Sequence, residues 1–141
     1  MWKLPSDGGP AVQVTQNGGF DGEESWDGQS LYYSKTSRSG VWRMPLAGGE
    51  ENAVIDGPLS SWGWALAQSG IYYAEQSKLG GRRYAYVIRH LDFESGQVSE
   101  LFRREGSFIH NSLAISPDER WILHAARTLD ESELMLVENF R

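Results

Sequence analysis

The run "LYYSK" at Leu31–Lys35 returns forty residues later as "IYYAE" at Ile71–Glu75, and more loosely as "ILHAA" at Ile122–Ala126. Self-similarity at this spacing restricts a chain to repeat architectures whose unit is one small supersecondary element. A second series runs out of phase with the first. "WKLPSDGGPAVQVT" from Trp2 is matched forty residues on by "WRMPLAGGEENAVI" from Trp42, and then by "VIRHLDFESGQVSELF" from Val87. In each copy an apolar run meets a glycine-containing turn and a second extended run follows, the pattern of a β-hairpin. Before the strands of the first series stand "SWDGQS", "LAQSG" and "SPDERW", each rich in reverse-turn residues.

Interleaving the two series gives a unit of about 40–50 residues with four short strands, the period of a β-propeller blade. With strands lettered A to D from the inside outward, the first full blade has A near Glu23–Trp26, B at Leu31–Lys35, C at Val41–Pro45 and D at Asn52–Asp56. The second has A near Trp62–Ala67, B at Ile71–Glu75, C at Tyr86–Asp92 and D at Gln97–Arg103. The third has A near Ser112–Ser116, B at Trp121–Ala126 and C at Leu134–Glu138, and lacks its D strand. Met1–Pro5 and Ala11–Thr15 supply a C and a D strand with no A or B before them. The blades thus span approximately 16–56, 57–104 and 105–141 of a single half-propeller domain, 1–141. The best helical candidate, "DESELMLVENF", is predicted to be a strand by this register, and "EQSKLGGRRYAY" reads as the longest inserted loop.

Composition agrees with an all-β chain: 16 Gly, six Trp and six Tyr among 40% hydrophobic residues favour short strands and frequent turns over helices. A length of 141 residues suits one domain with a core. The net charge of −6 provides no basic footprint for phosphate backbones, so nucleic-acid binding by this segment is disfavoured. Cysteine is absent, which removes disulfides, thiolate chemistry and Cys-ligated zinc. No apolar run reaches the roughly 18 residues of a membrane helix. No signal-peptide pattern follows Met1, and the expectation is a soluble chain, cytoplasmic rather than periplasmic.

The hairpin element at Asp7, Gly8 and Gly9, ending in Val14 and Thr15, and the turn element at Ser116, Pro117 and Asp118, repeated at Ser25, Asp27 and Gly28 with Trp26 in place of the usual proline, resemble the WD-like β-propeller repeats of the TolB-like superfamily. Its repeat couples a "dGGep..lT" hairpin to an "SPDGk.i.f" turn. The resemblance spans essentially the whole chain. More narrowly, the chain looks like the C-terminal half of the propeller in bacterial winged-helix/propeller regulators, and "LMLVENFR" is similar to how such chains end. No winged helix is present, so DNA binding is not carried over. The resemblance implies a propeller that binds proteins or restricts access, with chemistry elsewhere.

Three blades leave two naked sheet faces, each larger than the roughly 300–600 Å² patch a monomer tolerates. Such propellers usually have six blades, so a homodimer closing one ring is expected. Ala11–Thr15 would then supply the D strand of the partner's last blade, with Met1–Pro5 and Leu134–Glu138 competing for one C position and the C-terminal strand winning it. The alternative is that this chain is a piece of a larger protein whose missing half closes the ring.

No metal or other cofactor is implied. His90, His110 and His124 fall on a C, an A and a B strand at different distances from the axis, and are expected to be structural or surface residues. No HExxH, P-loop or GxSxG motif occurs. The acidic run "FDGEESWDG" lacks EF-hand spacing and reads as turn chemistry, and the glycine pairs 8–9, 18–19, 48–49 and 80–81 read as hairpin turns of positive φ. Residues placed to ring the axial channel are Phe20 and Glu24, Trp62 and Trp64, and His110 and Asn111, aromatic and polar groups that suit a peptide or sugar. The competing reading makes them inter-blade core. The expected function is a non-catalytic interaction or scaffold module that assembles into a ring. A ligand-binding or glycan-active propeller of lyase or hydrolase type, with its site at the axis, is the alternative.

Overall fold

In a computed structural model of the chain, residues 1–57, 59–81, 83–106 and 112–124 are described. They form an all-β protein of two four-stranded and two two-stranded antiparallel sheets. Hairpin β1 (Trp2–Lys3) and β2 (Val12–Gln13) comes first. A sheet follows of β3 (Phe20–Glu24), β4 (Ser30–Ser34), β5 (Gly40–Pro45) and β6 (Asn52–Asp56), paired in chain order. The next, β7 (Leu59–Leu66), β8 (Gly70–Gly80), β9 (Arg83–Asp92) and β10 (Val98–Gly106), has the same meander order. β11 (Leu113–Ile115) and β12 (Ile122–His124) form the last pair.

The sheets stack face to face in chain order, which explains why "LYY" and "IYY" are apolar without alternation: both faces of β4 and β8 are covered. Leu31 and Tyr33 pack with Met44 against Met1 and Val14 on one side. Tyr32, Val41 and Ile55 face the other way, onto Trp64, Leu66, Ile71 and Tyr73 of the second sheet. That sheet's far face, Ala65, Ala67, Tyr72, Ala74, Tyr86 and Ile88, receives Leu113, Ile115 and Ile122.

Repeated sequence builds repeated turns. Gly8 N–H donates to the Pro5 carbonyl at 3.1 Å, and Gly48 N–H to the Pro45 carbonyl at 3.0 Å. At Ser25 and at Ser116 the serine hydroxyl bonds an aspartate two residues on, the serine N–H reaches a carbonyl five residues on (Ser30, Trp121), and the aspartate accepts the following Gln29 or Arg120 N–H. These carboxylates, Asp27 and Asp118, are held below the ordinary aspartate range, chiefly by the serine hydroxyl.

Three expectations need correction. The first A strand is Phe20–Glu24, not Glu23–Trp26, because the Ser25–Asp27 bonding takes Ser25 and Trp26 for the turn. "EQSKLGGRRYAY" is not an inserted loop: β8 and β9 stay paired through Gln76↔Tyr86 and Lys78↔Tyr84 to Gly80↔Arg83, closing at Gly80 and Gly81, both of positive φ. Gly18 and Gly19 have positive φ like the other pairs but lead into β3 instead of turning a hairpin. Leu134–Glu138 and "DESELMLVENF" lie outside the described residues. β1 and β2 pair within their own chain.

Candidate functional site

Of the expected channel residues, Phe20, Glu24 and Trp64 can be placed, and these three do not line one cleft. Phe20 borders a cleft of about 290 Å³ with Lys35, Ser39 and Leu59. Glu24 lines a different one, of about 160 Å³, beside Met1, Trp2 and Lys3. Trp64 is 3% exposed within the sheet–sheet core, and its indole N–H donates to Ser34 Oγ at 2.9 Å. Trp62 lies on β7, with its side chain outside the description, and His110 and Asn111 are outside the described residues.

Two carboxylates on β3 clip it to β7. The ladder slips between Phe20 and Glu23, and in that bulge Asp21 takes φ 52°, a left-handed conformation that aspartate tolerates. Burial raises the Asp21 pKa, with Trp64 pulling it partly back. Glu23 accepts the Leu66 N–H at 3.4 Å; burial holds its pKa above the usual glutamate value, the Leu66 bond offsets part of that rise, and the nearby Asp21 charge adds to it. A raised folded-state pKa means that the folded chain binds more protons than the unfolded one, so this group's contribution falls as pH rises through the window above the ordinary value. Glu23→Gln, which keeps an acceptor for Leu66, is therefore expected to be more stable than wild type at pH 7. Urea denaturation repeated below about pH 4 should show that gain disappear.

Ser69, His90 and Glu119 meet where the second sheet joins the last pair. Ser69 Oγ donates to Glu119 Oε2, Glu119 Oε1 accepts the Ser69 N–H at 3.1 Å, and His90 Nε2 stands 3.2 Å from Ser69 Oγ. His90 also stacks on Tyr72, centroids 4.3 Å apart. Burial pushes the Glu119 carboxyl up, but the Ser69 and Gln68 bonds and the His90 charge together bring it below the ordinary value. The residue types are those of a catalytic triad, but the proton order is wrong. A nucleophilic serine gives its proton to the imidazole, with the carboxylate behind the histidine. Here the hydroxyl proton goes to the carboxylate, so Nε2 is left to donate, and the trio acts as a clamp between sheets. Its sequence signal was Glu119 in "SPDE", standing where the resembling repeats have glycine and holding φ 55°.

The buried Lys35 ammonium is spent similarly, on Glu51 and on the Trp42 ring 3.9 Å away. Among the described residues no cluster of three or more His, Asp or Glu is arranged to hold a metal ion.

A larger cleft, about 420 Å³, opens where the first sheet meets the second, lined by Ser25, Trp26, Tyr32, Arg43, Gln68 and Phe93 among others. Phe93 stacks on Tyr32 at 5.6 Å, and the Arg43 guanidinium lies 5.8 Å from the same ring while its Nε–H donates to Ser30 Oγ. Trp26, expected at the end of the first A strand and standing where the repeat usually has proline, instead borders this cleft from the turn. Two aromatic residues in turns at one end of adjacent units, "SWDG" and "LDFESG", were the available signal.

Fold and cleft together define an all-β protein of face-stacked antiparallel sheets with an arginine-bearing recess at a sheet junction. In comparisons with family models, curated proteins and solved structures, the chain has no match in any of the three.

Proposed function

We propose that the chain is a non-catalytic scaffold and interaction module, three blades of a TolB-like six-bladed β-propeller whose ring is completed by a second copy. The observation that carries this reading is the complementarity of the first and last hairpins among the described residues. Hairpin β1–β2 repeats the turn chemistry of β5–β6, the outer half of a four-stranded sheet, whereas β11–β12 repeats that of β3–β4, the inner half. Side by side, two such halves make one more sheet of the kind already present twice. The end elements also leave Trp2 64% and Trp121 68% exposed, with Leu4, Val12 and Leu123 beside them, apolar surface that a neighbouring sheet would cover. An isologous pair closes both ends at once and leaves no open edge.

The alternative, a glycan-active site at the axis, needs carboxylates free to meet a ligand. Asp21 and Glu23, on the edge strand β3, are instead turned onto β7, and the exposed Glu24 expected at the axis borders only the small cleft beside Met1, Trp2 and Lys3. Light scattering after size exclusion tests the proposal: twice the chain mass at micromolar concentration is expected, and a folded monomer overturns closure by a second copy.

A further inference from the structure

The two sheet junctions are built alike, and the difference between them identifies a binding site. In the first sheet Tyr32 pairs across the ladder with Arg43, and in the second Tyr72 pairs with His90, so Arg43 and His90 are counterparts, each lying against its tyrosine. At the second junction the A–B turn of the following unit, Pro117-Asp118-Glu119-Arg120, sends the Glu119 carboxylate back to Ser69 beside His90. At the first junction that turn is only Gln68-Ser69, closed by an Ala67 N–H bond to the Gly70 carbonyl at 2.9 Å. The shorter turn brings no acid to the arginine. Arg43 forms no salt bridge among the described residues: Asp27, on the same cleft wall, feels its charge but is engaged by the Ser25 hydroxyl and the Gln29 N–H, and the 420 Å³ cleft lies open beside the guanidinium.

We infer that this cleft between the first and second sheets binds a peptide segment of a partner protein in which an apolar side chain is followed by a carboxylate. The acid would take the unpaired fork of Arg43, the geometry guanidinium favours. The apolar side chain would lie between Trp26 and Phe93, 68% and 41% exposed, over a floor that includes Leu66 and Ala67. A sugar fits less well because several polar groups at the cleft are already committed. Ser25 bonds Asp27, Asp27 accepts the Gln29 N–H, and Ser30 holds Arg43 Nε. The Arg43 Nη groups, the Gln68 side-chain amide, the Tyr32 hydroxyl and the Trp26 indole N–H remain, a set dominated by donors that suits a carboxylate and a peptide carbonyl better than a ring of hydroxyls, each of which needs an acceptor as well on burial. The inference does not depend on ring closure, because the first and second sheets belong to one chain.

Calorimetric titration with a terminally blocked tetrapeptide carrying phenylalanine then glutamate tests it, with the glutamine analogue and a hyaluronan tetrasaccharide as comparison probes. The acidic peptide is expected to bind about tenfold more tightly than its glutamine analogue, and Arg43→Gln should abolish that preference. Trp26→Ala should weaken both peptides about tenfold while leaving the unfolding midpoint unchanged, since Trp26 is exposed. Equal affinity for the two peptides, no peptide binding at millimolar concentration, or tighter binding of the uronate sugar would each overturn the assignment. The mass measurement proposed for the ring reads none of these outcomes, so either idea can fail alone.

Discussion

Trp64→Ala is expected to lower the free energy of unfolding by about 3–5 kcal/mol, the range for deleting a large buried aromatic side chain. Trp64 belongs to the cluster that joins the first sheet, through Tyr32, Val41 and Ile55, to the second, through Leu66, Ile71 and Tyr73. The substitution leaves a cavity at that junction and strips the buried Ser34 hydroxyl of its indole donor. Trp64→Phe keeps most of the apolar area and loses mainly the hydrogen bond, so a cost of about 1–2 kcal/mol is expected. Urea denaturation with an unchanged m-value separates the two effects. The size of the loss also decides between the two readings of this residue. A tryptophan lining a channel mouth would be removed at little cost, and an alanine variant within about 1 kcal/mol of wild type would place Trp64 at the channel and not in the core.

That contrast locates what the sequence made legible. Strands β4, β5, β6, β8 and β9 were readable because their signals are local: consecutive apolar residues where both faces are buried, and turn residues whose bonding involves only near neighbours. The position of β3 was not, since the Asp21 bulge shifts its ladder and no residue pattern announces a left-handed aspartate. The alignment of the hairpin series carried a hidden error as well. Matching "WRMP" to the run from Val87 sets Trp42 level with Val87, whereas the ladder places Trp42 opposite Tyr33 and Arg89 opposite Tyr73. A slip of two residues preserves which face each side chain occupies, so hydrophobic pattern is blind to it. It nevertheless decides that His90, not Ile88, is the counterpart of Arg43, and the comparison of the two junctions follows from that. The cleft itself depends on how two sheets stack and on the length of one turn, and neither is encoded in any single repeat.

Gly40→Ala is expected to destabilise the chain by about 3 kcal/mol or more, and Gly22→Ala by less than about 1 kcal/mol. Gly40 opens β5 at φ 132°, and a Cβ there would overlap the Ile55 carbonyl oxygen on β6. That oxygen is backbone, and it cannot withdraw without disturbing the pairs Gly40↔Asp56 and Val41↔Ile55 at a point where the ladder already shifts register. Both Val41 and Ile55 are part of the core against the second sheet, so the displacement would be transmitted to Trp64. Gly22 presents the opposite situation. A Cβ there meets chiefly the thioether end of Met1, the far end of a flexible side chain that can shift more cheaply than backbone. Thermal and urea unfolding of the two variants side by side would therefore separate a backbone obstruction from a side-chain one. Equal effects would mean that the start of β5 is not held against β6, and would remove the scaffold that sets Arg43 on Tyr32, three residues along the same strand.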